Sequence, residues 1–105
     1  MSTELIKARS QLVQVKTALK QGQLIPAVQA THDALLAVLR QPLMRQEKEE
    51  FSTLVADAVA ALASNDEFRA QVPLKLEYSR GHEKELLMIL RESLNAIQSS
   101  AVSVA

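Results

Sequence analysis

Two amphipathic helical patterns meet at residues 20–27, and this junction constrains the fold more than any other part of the chain. It reads Lys20, Gln21, Gly22, Gln23, Leu24, Ile25, Pro26, Ala27 and holds one of only two glycines. Gly22 follows the last periodic residue of the first pattern, where a left-handed residue commonly ends a helix. Pro26 falls just inside the second pattern, where its missing N–H costs little. The prediction is helix, tight turn, helix, so residues 5–39 form a hairpin with one face left to cover.

The flanking residues support that reading. Leu5, Ala8, Leu12, Val15 and Leu19 recur at steps of three and four, a single stripe on a helix. Ser2 or Thr3 can cap its start. Lys16 and Lys20 lie near its end, where cations complement the helix dipole. Leu24, Ala27, Val28, Thr31, Leu35, Val38 and Leu39 share one side of the second pattern, with Ala30, Ala34 and Ala37 as small residues for close approach. Gln41 and Pro42 end it, because the residue before a proline is pushed out of the helical region.

A third helix is expected from Pro42 or Leu43 to about Ala63, with Met44, Phe51, Leu54, Val55, Ala58 and Leu62 as its apolar stripe. Val59, Ala60 and Ala61 widen that stripe. Ser64 and Glu67 have the spacing of a capping box and predict a short helical turn through Phe68 and Ala70. Val72 and Pro73 end it. Leu74, Leu76 and Tyr78 alternate with Lys75 and Glu77, the pattern of an extended connector over residues 73–78 whose apolar side chains lie on the helices. The last helix runs from about His82 to Ile97, carrying Leu86, Leu87, Leu90, Leu94 and Ile97. The expected fold class is all-α: four main helices, one short helical turn and one connector. Residues 1–98 form a single domain and residues 99–105 a flexible tail.

The hairpin resembles one tetratricopeptide-type repeat. Gly22 stands at the turn and the bulky Leu24 two positions later. Ala27 and Ala34 occupy the small positions of the second helix, and Leu35 follows Ala34 as in that family. Gln11 and Val15 stand where the family favours an aromatic and a small residue, and residues 43–97 do not repeat the motif. The resemblance implies a helical hairpin whose faces are covered by further helices, and a role in protein–protein binding.

Composition narrows the chemistry. The chain has no cysteine, which excludes disulfides, thiolate metal sites and cysteine nucleophiles. Aromatic residues make up 3%, so the core is aliphatic. The formal net charge is zero, which argues against an electrostatic grip on nucleic acid. That zero combines +4 over residues 1–45 with −4 over residues 46–105. The first residues lack a signal-peptide pattern and no segment has the apolar length of a membrane span, so a cytoplasmic protein is expected.

No catalytic, cofactor or metal set emerges. His82 and Glu85 share a helix face, but no second histidine follows at helical spacing. The two glycines are too far apart to cradle a phosphate. The expected function is a small interaction, adaptor or regulatory module without catalysis. Its partner is a protein, or a second copy of itself, rather than nucleic acid, a membrane or a small molecule. Phe51, Val55, Val59, Leu86, Met88 and Ile89 are the candidate interaction surface, since they lie on the widest apolar faces. The alternative is a histidine phosphotransfer-like signalling domain using His32. It requires that ring to be exposed, with Lys16, Lys20 or Arg40 near it, and the lysine and glycine that such domains carry after the histidine are missing here.

Overall fold

The computed structural model describes the backbone of residues 2–104 and the side chains of residues 2–100. Five helices follow one another: α1 (Thr3–Lys20), α2 (Leu24–Arg40), α3 (Arg45–Ala63), α4 (Asp66–Gln71) and α5 (Glu83–Val104). No strand occurs among the described residues, and residues 73–78 form an extended connector. The all-α architecture is the one the sequence predicts: four long helices, one short helix and a connector.

The α1–α2 turn works through its backbone. Gly22 takes φ 73°, and its N–H donates to the Leu19 carbonyl at 3.1 Å while the Gln23 N–H donates to Ala18 at 2.9 Å. These bonds satisfy carbonyls that the end of α1 leaves unpaired. At the other end of α1, Ser2 Oγ accepts from the Leu5 N–H at 3.2 Å. Pro26 sits in the first turn of α2, where no intrahelical N–H bond is lost.

Hairpin formation buries Leu5, Ala8, Leu12 and Val15 of α1 against the rest of the fold. On α2, Ala27 and Ala34 are fully buried, which is what close helix approach demands of small residues. Thr31 is also fully buried, and its hydroxyl donates to the Ala27 carbonyl at 2.8 Å, so no polar atom of that side chain is stranded. Leu24, Val28 and Leu35 complete the buried face. The buried residues of α2 lie on one stripe, about 120° wide at 3.6 residues per turn, and half-buried residues flank it where α1, α3 and α5 pack.

The arrangement around α2 is asymmetric. α1 makes the most extensive contact, α5 packs on α2, and α3 lies across both α1 and α2. Among the described residues, α3 and α5 have no substantial helix-to-helix contact with each other. α5 runs antiparallel to α2, since Ile97 and Ser100 lie by Ile25 at one end and Glu83 lies by Val38 and Leu39 at the other. The result is an elongated body of 45 × 25 × 20 Å with a radius of gyration of 13.4 Å. The latter is close to the roughly 13 Å expected for a compact chain of about 100 residues.

Some boundaries differ from the sequence expectation. α3 starts at Arg45, not at Pro42 or Leu43, and its first turn is fixed by Glu47, whose Oε1 accepts from the Met44 N–H at 3.0 Å. The cap of α4 is Asn65, not Ser64: Asn65 Oδ1 accepts from the Phe68 N–H at 2.9 Å, while Ser64 ends α3. The expected box with Glu67 is therefore not formed. An asparagine beside the serine gave two candidate caps, and the one with an extended backbone took the role. In the connector, Leu76 is buried and Tyr78 half-buried, but Leu74 is exposed and Val72 takes its place in the core. The inward residues 72, 76 and 78 keep the period of two, and only Leu74, at the bend of the connector, departs from it. α5 continues beyond Ile97 to Val104, so residues 99–104 carry helical backbone rather than ending the pattern at 97; Ala105 lies outside the described residues.

Candidate functional site

The divergence of α3 from α5 leaves a cleft of about 410 Å³ at the C-terminal end of α2. Its size falls within the range of roughly 300–1,000 Å³ typical of binding pockets. Leu35, Val38 and Leu39 of α2 form one wall, and Phe51 and Val55 of α3 form the other. Leu43 closes the end where the chain turns between them, and Tyr78 covers the floor from the connector. Apart from Leu43, which lies between α2 and α3, each of these residues belongs to a helix or to an inward connector position. The cleft is therefore the unfilled end of the core rather than a separate feature.

Polar groups surround the apolar floor. Lys48 on α3, Arg80 in the turn before α5 and Glu83 at the start of α5 border it, with Gln41 and Ser52 between them. Gln41 is held from outside, its Nε2 donating to Glu4 Oε2 of α1 at 2.7 Å. Glu83 Oε1 accepts from the Gly81 N–H at 3.2 Å, which stabilises the turn where Gly81 takes φ 87°. Neither Lys48 nor Arg80 forms an ion pair among the described residues, whereas Arg9 pairs with Glu50 on the far side of α3. Apolar surface is exposed at the cleft's edge: Leu39 of the wall is 40% exposed, and Met44, the residue after Leu43, is 70% exposed.

The sequence-based interaction surface is corrected by burial. Phe51, Val55, Val59 and Leu86 are each at most 3% exposed and are core. The wide apolar faces of α3 and α5 are wide because they meet several neighbours within the chain. Only Met88 is exposed among the six, and Ile89 is half-buried. Phe51 and Val55 reach the cleft as parts of its wall, so the residues that do present apolar surface there are Leu39, Leu43 and Tyr78. Sequence reasoning placed Leu39 on the buried stripe and Tyr78 on the helices. The signal available to it was position: Leu39 is the last apolar residue before the break at Gln41 and Pro42, where a helix outruns its neighbours.

His32 lies in the middle of α2 with its side chain 12% exposed. Its Nδ1 is 3.0 Å from Asp33 Oδ1, and Gln29 Nε2 donates to the same oxygen at 2.9 Å. Its Nε2 is fully buried with no hydrogen-bond partner among the described residues. A phosphoryl acceptor needs a ring nitrogen open to an incoming phosphate, and this geometry presents none. The buried orphan nitrogen is a cost to the fold, about 1–3 kcal/mol for a neutral group. His82 contrasts with it. Its Nδ1 lies 2.6 Å from Glu85 Oε2 with both side chains about two-thirds exposed, a surface pair at the start of α5.

Among the described residues no three or more His, Asp or Glu side chains converge as metal ligands would, and no helix is long and apolar enough to cross a membrane. No protein-family model, no curated protein and no solved structure matches this chain.

Proposed function

We propose that this protein is a small helical interaction module, an adaptor or regulatory unit without catalysis of its own, that engages a protein partner through the cleft at the end of α2. The observation that carries this reading is the cleft itself: an apolar floor built by α2, α3 and the connector, bordered by charged groups and with Leu39 of its wall 40% exposed. Apolar surface rimmed by polar groups is the usual anatomy of a docking site. The tetratricopeptide-like residues of the hairpin support the same reading by resemblance. A cytoplasmic setting belongs to the same proposal.

The test is capture with a blocked cleft. Wild-type protein and a Ser52→Trp variant, each bearing the same affinity tag, are used to recover cross-linked partners, with circular dichroism as the control for folding. Ser52 is half-buried on the cleft wall, so an indole there occupies the space a partner would use. A defined partner, or a second copy of the chain, recovered by the wild type and lost with the variant is the expected result. Recovery that ignores the block, together with a strictly monomeric mass, would overturn the reading.

A further inference from the structure

We infer that the segment seated in this cleft is acidic: a short peptide stretch with two or three large apolar side chains and at least one carboxylate beside them. The inference rests on the proposed interaction role and adds the chemistry of the partner. Three observations lead to it.

The first is charge. Lys48 and Arg80 stand on opposite walls, one on α3 and the other in the turn before α5. Neither has an ion-pair partner among the described residues, and the acid of the same cleft, Glu83, is bonded to the Gly81 N–H instead. A wholly apolar partner would strip water from both cations and return nothing. A carboxylate on the partner restores their interactions as charge-assisted bonds, and a lysine there would meet like charge.

The second is extent. Apolar surface stays open at the edge of the cleft: Leu39 of its wall is 40% exposed, and Met44, the residue after Leu43, is 70% exposed. A ligand that filled only 410 Å³ would leave that rim in water, whereas a polypeptide covers cleft and rim together. The third is the main chain. Tyr78, the connector residue that lines the cleft, makes no backbone hydrogen bond among the described residues, so its N–H and C=O are open for a peptide backbone to meet.

The experiment uses full-length protein and three fluorescein-labelled twelve-residue peptide pools. Each pool carries two fixed leucines and randomised small residues, with glutamate, glutamine or lysine at the position between the leucines. Fluorescence anisotropy at about 50 mM and about 300 mM salt measures binding, since exposed charge pairs are screened over this range. The glutamate pool is expected to bind about tenfold more tightly than the glutamine pool, a typical effect of one charge-assisted contact. The lysine pool should bind weakest, and the glutamate advantage should shrink at high salt. Lys48→Glu with Arg80→Glu should invert the order, and Ser52→Trp should abolish binding of every pool. Amide shifts of Lys48, Ser52 and Arg80 in the wild type on adding the glutamate pool locate the site without any variant, should Ser52→Trp fail to fold.

Equal binding of the glutamate and glutamine pools, both lost with Ser52→Trp, would overturn the acidic assignment and leave the docking role standing. Binding of a small amphiphile such as dodecanoate at these residues, with no pool bound, would overturn the peptide assignment. No pool bound at all, with a wild-type partner still captured and lost with Ser52→Trp, would likewise overturn the partner chemistry while sparing the docking role.

Discussion

The two ends of α2 carry similar residues and meet different fates. At the N-terminal end Leu24 is 4% exposed, and at the C-terminal end Leu39 is 40% exposed. Both are leucines on one helix, so composition does not separate them. What separates them is the number of walls. α5 and α4 approach each other near Leu24, with Gln71, Ile97 and Glu67 grouped around that end, while α3 and α5 stand apart near Leu39. Burial in a protein of this size is decided by where neighbouring helices converge, and a convergent end of the body faces a divergent one.

The sharpest way to break that comparison is to make the same change at both ends. Leu24→Ala should lose about 2–5 kcal/mol of stability, the usual cost of truncating a packed leucine. Leu39→Ala should lose less than about 1 kcal/mol, as expected for a side chain already partly in water. Urea denaturation of the two variants measures both, and similar losses would mean that the divergent end is as well packed as the other. Ala34→Leu comes next. That position is fully buried among close helices, so overpacking should cost about 1–3 kcal/mol or more. Ala37→Leu, on the half-buried side of α2, should be tolerated, and a thermal melt that ranks the two the other way would relocate the hairpin contact.

The two glycines allow a finer comparison. Gly22 and Gly81 hold φ 73° and 87°, and a Cβ added to either would meet nothing within 4 Å. Alanine should therefore cost only the left-handed backbone penalty, about 1–2 kcal/mol, and nearly the same at both. A much larger loss at Gly22 would show that the hairpin turn is less able to relax than the turn beside the cleft. The smallest effect belongs to Arg9→Met. Arg9 pairs with Glu50, but the two side chains are 51% and 33% exposed, so the loss should fall below about 1 kcal/mol and diminish with salt.

Much of the fold was legible from periodicity. The steps of Leu5, Ala8, Leu12 and Val15 predicted four residues of the buried face of α1, while Leu19 on the same stripe is only half-buried, and Gly22 predicted the turn from the backbone it requires. Less was legible where two local signals competed. Ser64 and Asn65 are both good caps, and nothing in their neighbours said which would be extended. Ser93 was invisible: a serine amid leucines reads as an interruption, yet it is fully buried because its hydroxyl donates to the Ile89 carbonyl at 2.7 Å. The site was the least legible part. Phe51, Val55, Val59 and Leu86 read as a surface because a stripe wider than one neighbour needs looks unpartnered in a linear chain. Whether such a stripe meets solvent or a third helix depends on the splay of α3 and α5, a tertiary property that no local pattern encodes.

The antiparallel seat of α5 on α2 also sets an order of events during synthesis. α1 and α2 are complete once residue 40 has emerged, and their mutual contacts are local, which favours early pairing. The opposite flank of α2 must wait for Leu86 to Ile97, nearly fifty residues later, before it is covered. A nascent chain stalled within the connector therefore holds a formed hairpin with one greasy flank in water, a species that chaperones would recognise. Of the five helices described, the one made latest covers a flank of the hairpin made first.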